Sequence, residues 1–232
     1  MARPAGITTK VVITLNQDRL LTQATDFLRP APFTWAVCGG HALDLFHGRS
    51  LRSHGDIDIC TLESERATIL PFMLQNGWRV YEFRGQGKVR PLDAASTSEA
   101  GRNLMCFTPD CQLVRFYPCE DEGLLYHEFH HDDAAPFNYI EFLFNQTSAT
   151  HLVFDGKKGV ERELSKAILK RNGIPYLAPE LVLLHKASNP NTEKHTFDFS
   201  QTYPLMNDEQ QSWFARSLAT IYPAGHPWQD ML

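Results

Sequence analysis

The sequence predicts an α+β protein: a mixed β-sheet flanked by helices, followed by a mainly helical C-terminal part. Three observations predict it. Helix-spaced and strand-like segments alternate through the first two-thirds, the composition changes after Gly173-Ile174-Pro175, and two helix patterns occupy the last third. The expected division is residues 1–170 as the main domain and 171–232 as a helical region packed on it.

Each element has its own local reason. Leu20, Leu21, Ala24, Phe27 and Leu28 recur near helical spacing from Leu15 to Leu28, and Pro30 and Pro32 end that helix. Phe33 to Cys38 is short and rich in β-formers, as a buried strand would be. Gly39-Gly40 breaks it, and HALDLF reads as a two-turn helix stopped by Gly48. Asp56 to Thr61 returns to strand pattern, and Ser64 is placed to cap a helix running to Asn76. Trp78 to Phe83, Asn103 to Phe107 and Gln112 to Tyr117 read as strands, with Ala94 to Arg102 as loop. FNYIEFLF, Phe137 to Phe144, is the strongest later strand and carries one carboxylate, Glu141. Pro179 to Ala187 and Asp208 to Ile221 read as helices, with Pro179 at a favourable first-turn position.

Bulk properties narrow the function. With 232 residues and 43% hydrophobic content, the chain can bury a full core. A net charge of −5 weighs against a nucleic-acid partner held by phosphate neutralisation, and no nucleic acid is expected. It leaves room for a nucleotide whose phosphates are held by metals and backbone amides. The start, MARPAGITTKVVITLNQ, has no signal-peptide core, and no window suits a membrane helix. Five cysteines without a C-x-x-C pair read as reduced thiols, so a cytoplasmic protein is expected.

The chemistry concentrates in CGGHALDLFHGRSLRSHGDIDI, Cys38 to Ile59. Residues two apart on a strand share a face, so Asp56 and Asp58 would stand together with Ile57 and Ile59 turned into the core. Two such charges repel unless protonated or bridged by a cation, and hard oxygen donors on a short strand suit Mg²⁺. Glycines at a strand-to-helix turn let a phosphate approach the backbone and the free N–H groups of the helix. Taken separately, Gly39-Gly40 is a tight turn and the D-x-D an acidic strand end. Set one short helix apart, they read as a phosphate cradle facing a metal clamp.

As a whole, this stretch resembles the nucleotidyltransferase superfamily of DNA polymerase β type. Within that superfamily it is similar to the small-molecule branch of aminoglycoside 2''-adenylyltransferases and lincosamide nucleotidyltransferases. Gly39, Gly40, Ala42, Asp44, Gly48, Arg49, Arg52, His54, Asp56, Ile57 and Asp58 carry the resemblance, while His41 stands where the family often has tryptophan. GIPYLAPELVLLHKA, FNYIEFLF and the tail HPWQDML extend it, and the region from Arg84 to Glu128 does not. LVFDGKK, Leu152 to Lys158, and Glu193-Lys194-His195 depart from the family pattern.

The resemblance implies a nucleotidyltransferase core and a Mg²⁺-dependent transfer of a nucleoside monophosphate, AMP from ATP, to a hydroxyl of a small molecule. An aminoglycoside or lincosamide would be one such acceptor. Asp56 and Asp58 would hold one or two Mg²⁺ ions, with Glu141 as third carboxylate, either a ligand or the base. Gly39, Gly40, Arg49, Arg52 and Lys186 would meet the nucleotide, although an ion pair with Asp44 or a solvated turn also accounts for the arginines. Asp93, Asp110 and Glu128 are substitutes for the third acid. Two other readings keep the fold: a non-catalytic nucleotide-binding or interaction module of toxin–antitoxin type, and transfer to a protein acceptor. YHEFHHDD, Tyr126 to Asp133, crowds histidines and acids without zinc-site spacing, and reads as a loop or acceptor-pocket rim. Trp213, Phe214 and Trp228 read as core, and nothing in the sequence excludes an oligomer.

Overall fold

The computed structural model describes residues 18–130, 137–156 and 159–232. Helix α1 (Arg19–Leu28) leads into β1 (Trp35–Val37), α2 (Gly39–His47), β2 (Asp58–Leu62) and α3 (Arg66–Gln75). Five strands follow: β3 (Arg79–Gly85), β4 (Lys88–Leu92), β5 (Leu104–Phe107), β6 (Val114–Pro118) and β7 (Leu125–Phe129). The long β8 (Tyr139–Thr147) is succeeded by β9 (His151–Val153), β10 (Glu161–Glu163), the single turn α4 (Leu164–Ala167), β11 (Ile168–Arg171) and β12 (Ile174–Leu177). Helices α5 (Pro179–Lys186), α6 (Glu193–Thr202) and α7 (Asp208–Ile221) complete the fold. Among the described residues no helix is long and apolar enough to cross a membrane.

The strands form one mixed sheet in the order β11-β12-β1-β2-β8-β5-β3-β4-β7-β6, with β9 attached to β8 and β10 to β9. The pairs β1–β12 and β2–β8 are parallel. The α+β reading therefore holds. The C-terminal third is less purely helical than the sequence suggests, because IPYL is strand β12 beside β1, and the β11–β12 hairpin straddles residue 170.

Alternation along the strands sorts residues between two faces. Ile57, Ile59, Ile140, Phe142, Leu104 and Cys106 share one core with Leu21 and Leu28 of α1 and Ile69 and Met73 of α3. The alternate residues, Tyr139, Met105, Phe107 and Tyr81, form a second cluster with Phe116 and Phe129 of the β6–β7 hairpin. Asp58 and Glu141 belong to this second face.

Several expected boundaries shift. Helix α3 begins at Arg66, and Ser64 lies within a 3₁₀ turn (Glu63–Glu65) without capping it. The preceding Leu15 to Gln17 lie outside the described residues. Strands β4, β7 and β9 to β12 and helix α6 carry too little apolar periodicity to be read locally; α6, EKHTFDFSQT, buries only Asp198, Phe199 and Thr202.

The C-terminal helices are held by aromatic stacking and by one buried ionic network. Trp228 stacks on Phe199 at 4.4 Å, and Phe214 and Trp213 are buried beside them, as the sequence suggests. Arg162 of β10 donates twice to Glu180 of α5, at 3.0 and 2.6 Å, and twice to Glu209 of α7, at 2.8 and 3.3 Å. The Gln210 amide donates to the other Glu180 oxygen at 2.8 Å. Removing one partner of a buried pair leaves the other charge uncompensated. Arg162→Ala should thus destabilise the fold by about 3–5 kcal/mol, read as a lower urea midpoint, whereas exposed Arg216→Ala should not.

Candidate active site

The chain leaves β1 through Cys38, whose backbone N–H donates to the Asp58 carbonyl at 2.9 Å. This bond sets Gly39 against Asp58. Gly39 has φ +63°, and a Cβ there would lie 2.4 Å from Asp58 Oδ2. Both its backbone and its neighbour demand glycine. Gly40 is excluded from carrying a side chain for another reason: a Cβ would meet His54 Cε1 at 2.2 Å and Arg52 Nη2 at 2.8 Å. The two glycines form the first turn of α2 itself, rather than a turn before it, so the free N–H groups of that turn lie beside Asp58.

Asp58 opens β2 and pairs in parallel register with Glu141 of β8. Paired residues in neighbouring strands project from the same face with Cα atoms about 4.8 Å apart. Glu141 N–H donates to the Ile57 carbonyl at 3.2 Å, which extends the register. Asp56 lies ahead of the strand and is exposed, rather than within β2 as the pattern suggests. With Ile57 buried between them, Asp56 and Asp58 still share a side. Glu141 accepts hydrogen bonds from the Asn103 amide at 3.2 Å and the Tyr139 hydroxyl at 3.1 Å.

The electrostatics are those of crowded acids. Burial pushes the Asp58 carboxyl up to about 7, reinforced by Asp56 and Glu141 and opposed by Lys186 and Lys194. Burial also raises Glu141, against the hydrogen bonds from Tyr139 and Asn103. Two ionised groups about 5 Å apart repel by roughly 3 kcal/mol at an effective dielectric near 20. The three acids are not drawn into ligand contact with one another: a cluster with ligand atoms within 4.8 Å of one another occurs, among the described residues, only at half-buried Cys119 with exposed Glu120 and Asp121. Lys88 pairs with both of these exposed acids. A hard divalent cation among Asp56, Asp58 and Glu141 would remove their repulsion, and the all-oxygen donor set fits one.

The acids line two cavities. Asp58 lines the larger, of about 360 Å³, with Cys38, Gly39, Asn145, His185 and Lys186. Asp56 and Glu141 line the smaller, of about 210 Å³, with Gly55, Leu113, Phe129, His130 and Tyr139.

Residues 20–106 match the model of the aminoglycoside-2''-adenylyltransferase family. A solved structure of the lincosamide antibiotic adenylyltransferase LnuA, with lincomycin bound, aligns at TM-score 0.50 and 13% identity, over 82% of this chain and 98% of that one. ANT(2'')-Ia in complex with adenylyl-2''-tobramycin aligns at TM-score 0.49 and 11% identity, over 89% and 99%. No curated protein sequence matches. The chain shares the fold of LnuA. The segment matched by the family model contains Gly39, Gly40, Asp56 and Asp58, but ends before Glu141 and Lys186.

The residues between α2 and β2 are organised by Asp44. Its buried carboxylate accepts from Leu51 N–H at 2.9 Å and sits 2.9 Å from His54 Nε2. Arg52 can only donate, and its Nη1 lies 3.1 Å from His54 Nδ1. His54 therefore carries its proton on Nε2 and gives that hydrogen bond to Asp44. Burial lowers the His54 pKa, consistent with a neutral ring. Its ring packs 4.3 Å from that of His41, whose Nε2 is 3.1 Å from Asp18.

The expected cationic residues separate. Arg49 is exposed and has no ion pair among the described residues. Arg52 pairs with Asp198 of α6, not with Asp44, and Lys186 pairs with the same carboxylate. Asp198 escapes sequence reading because it is one acid in a polar helix far along the chain. Asp93, Asp110 and Glu128 are exposed and bond locally to Ser96, Thr108 and Tyr117, away from any shared acid cluster among the described residues. Tyr126 to Phe129 of YHEFHHDD are in β7, not a loop, whereas His131 to Asp133 lie outside the described residues. In LVFDGKK, Asp155 (φ 48°) lines the larger cavity, and Lys157 and Lys158 lie outside the described residues.

Two outcomes follow from this geometry. Asp58 has its ordinary value of 3.8 when unfolded and about 7 when folded, so the folded state holds the extra proton between those values. In chelator, stability should fall as pH rises through that window, and Asp58→Asn should flatten the fall and melt several degrees higher at neutral pH. Gly39→Ala should do the reverse, lowering the melting temperature through its positive φ and the contact with Asp58.

Proposed function

We propose that this chain is a Mg²⁺-dependent adenylyltransferase that moves AMP from ATP to a hydroxyl of a small molecule, with aminoglycosides and lincosamides as the first acceptors to test. The register that sets Glu141 beside Asp58, opposite a glycine in contact with Asp58, carries this reading. The names of the matched family and of LnuA support the choice of donor and acceptors.

Asp56, Asp58 and Glu141 would hold the metal, which supplies charge neutralisation at the triphosphate and at the attacking and leaving oxygens. The first-turn amides of Gly39 and Gly40 meet the β- and γ-phosphates, and Lys186 faces them across the larger cavity. The acceptor occupies the smaller cavity, where Phe129, Leu113 and Tyr139 offer an apolar wall beside Asp56 and Glu141. There its hydroxyl oxygen bonds to the α-phosphorus, the bond to the pyrophosphate oxygen breaks, and Glu141 takes the hydroxyl proton. Alignment and charge stabilisation supply the rate, with no covalent enzyme intermediate.

The test is pyrophosphate release from ATP and Mg²⁺ with pooled aminoglycosides and lincosamides. The double variant Asp56→Asn, Asp58→Asn should lose at least about a thousand-fold in rate, the equivalent of roughly 4 kcal/mol. An unchanged rate would refute the proposal.

A further inference from the structure

Asp198 is a buried carboxylate on α6 shared by two cations from different parts of the chain. Arg52 grips it as a fork, Nε to Oδ1 at 3.1 Å and Nη2 to Oδ2 at 3.1 Å. Lys186 Nζ reaches Oδ2 at 2.9 Å from α5. Two cations on one anion leave one positive charge in excess, and the side chain of Asp198 is only 2% exposed. Burial alone would disfavour its ionisation, but Arg52 and Lys186 hold the carboxyl below the usual range.

Lys186 stands on the cavity wall, and Arg52 stands behind it against the glycine turn. Arg52 Nη2 is 2.8 Å from the place a Cβ on Gly40 would take, against the first turn of α2. Lys186 lines the larger cavity with Gly39 and Asp58. Arg52 is further fixed by Nη1, which donates to His54 Nδ1 and to the Ser53 carbonyl, each at 3.1 Å. An ammonium has three donors. Lys186 uses one on Asp198 and keeps two for phosphate oxygens.

We propose that Asp198 is a positioning residue for the triphosphate: it holds Arg52 and Lys186 in place so that the glycine turn and the C-terminal helices grip the β- and γ-phosphates together. This rests on the nucleotidyltransferase reading above. Asp198 itself touches no phosphate. It acts by fixing two long side chains that would otherwise have to be ordered on binding.

The sign of one substitution separates positioning from simple charge. Asp198→Asn removes a negative charge near the cleft, and long-range electrostatics alone would tighten the binding of ATP. Positioning requires the opposite. Titration of the full chain with Mg²⁺–ATP and with AMP should show ATP binding weakened about thirty-fold in Asp198→Asn and AMP binding changed less than about three-fold. Asp198→Glu should recover part of the ATP affinity. Arg52→Lys keeps the charge but loses the fork, and should weaken ATP about ten-fold in a fold left intact.

A thermal melt confirms which variants are folded, and Arg52→Lys carries the test if Asp198→Asn is not. ATP affinity equal to or tighter than wild type in Asp198→Asn, or unchanged in Arg52→Lys, overturns the inference while leaving the wild-type activity standing. If the wild-type chain binds no nucleoside triphosphate, the functional reading falls and takes this one with it.

Discussion

The parallel register between β2 and β8 is the constraint on which the candidate site depends. It sets Asp58 opposite Glu141 across 83 positions of sequence and turns Ile59 and Phe142, their neighbours, into the core. A slip of one residue would exchange those faces, burying a carboxylate and exposing a phenylalanine. The hydrophobic core therefore enforces the acid geometry. Its consequence is a concentration of like charge that is unfavourable in the protein alone and that a cation would relieve.

The second requirement is that a segment without regular secondary structure, Gly48 to Ile57, be held against α2. It is held by buried polar contacts more than by apolar packing. Gly48 ends α2 in the left-handed conformation, with its N–H returning to the Asp44 and Leu45 carbonyls. Asp44 then takes Leu51 and His54, and Arg52 links His54 to Asp198. Asp44, His54, Arg52 and Asp198 each have a partner in this series, which is the condition for placing them out of water. The absence of a side chain at Gly40 makes room for the Arg52–His54 pair.

The C-terminal helices contribute to the cleft as well as to stability. Helix α5 brings Val182, His185 and Lys186 to the larger cavity, and the Arg162–Glu180 network fixes that helix from the other side. The smaller cavity is built differently, from Leu113 and Phe129 on the β6–β7 side and Tyr139 on the sheet. Those wall residues lie beyond the segment matched to the aminoglycoside-2''-adenylyltransferase family. Each cavity thus joins residues of the matched segment, Gly39 and Asp58 in one and Asp56 in the other, to residues beyond it.

By itself the sequence determined what local chemistry encodes. Gly39-Gly40, the stop at Gly48, the buried Ile57 and Ile59 between acids, α7 from Asp208 to Ile221 and the aromatic strand around Glu141 were all legible, because each depends on residues within one or two turns. The tertiary structure decided what depends on neighbours distant in sequence. The sheet place of IPYL beside β1 is one case, since four residues with no alternation become a strand only when an edge receives them. The move of Arg52 and Lys186 onto Asp198 is another, because ion pairing across 146 residues is fixed by which helix packs where. The side-by-side stance of Asp58 and Glu141 belongs to the same class: the sequence names both acids, and only strand pairing sets the distance between them.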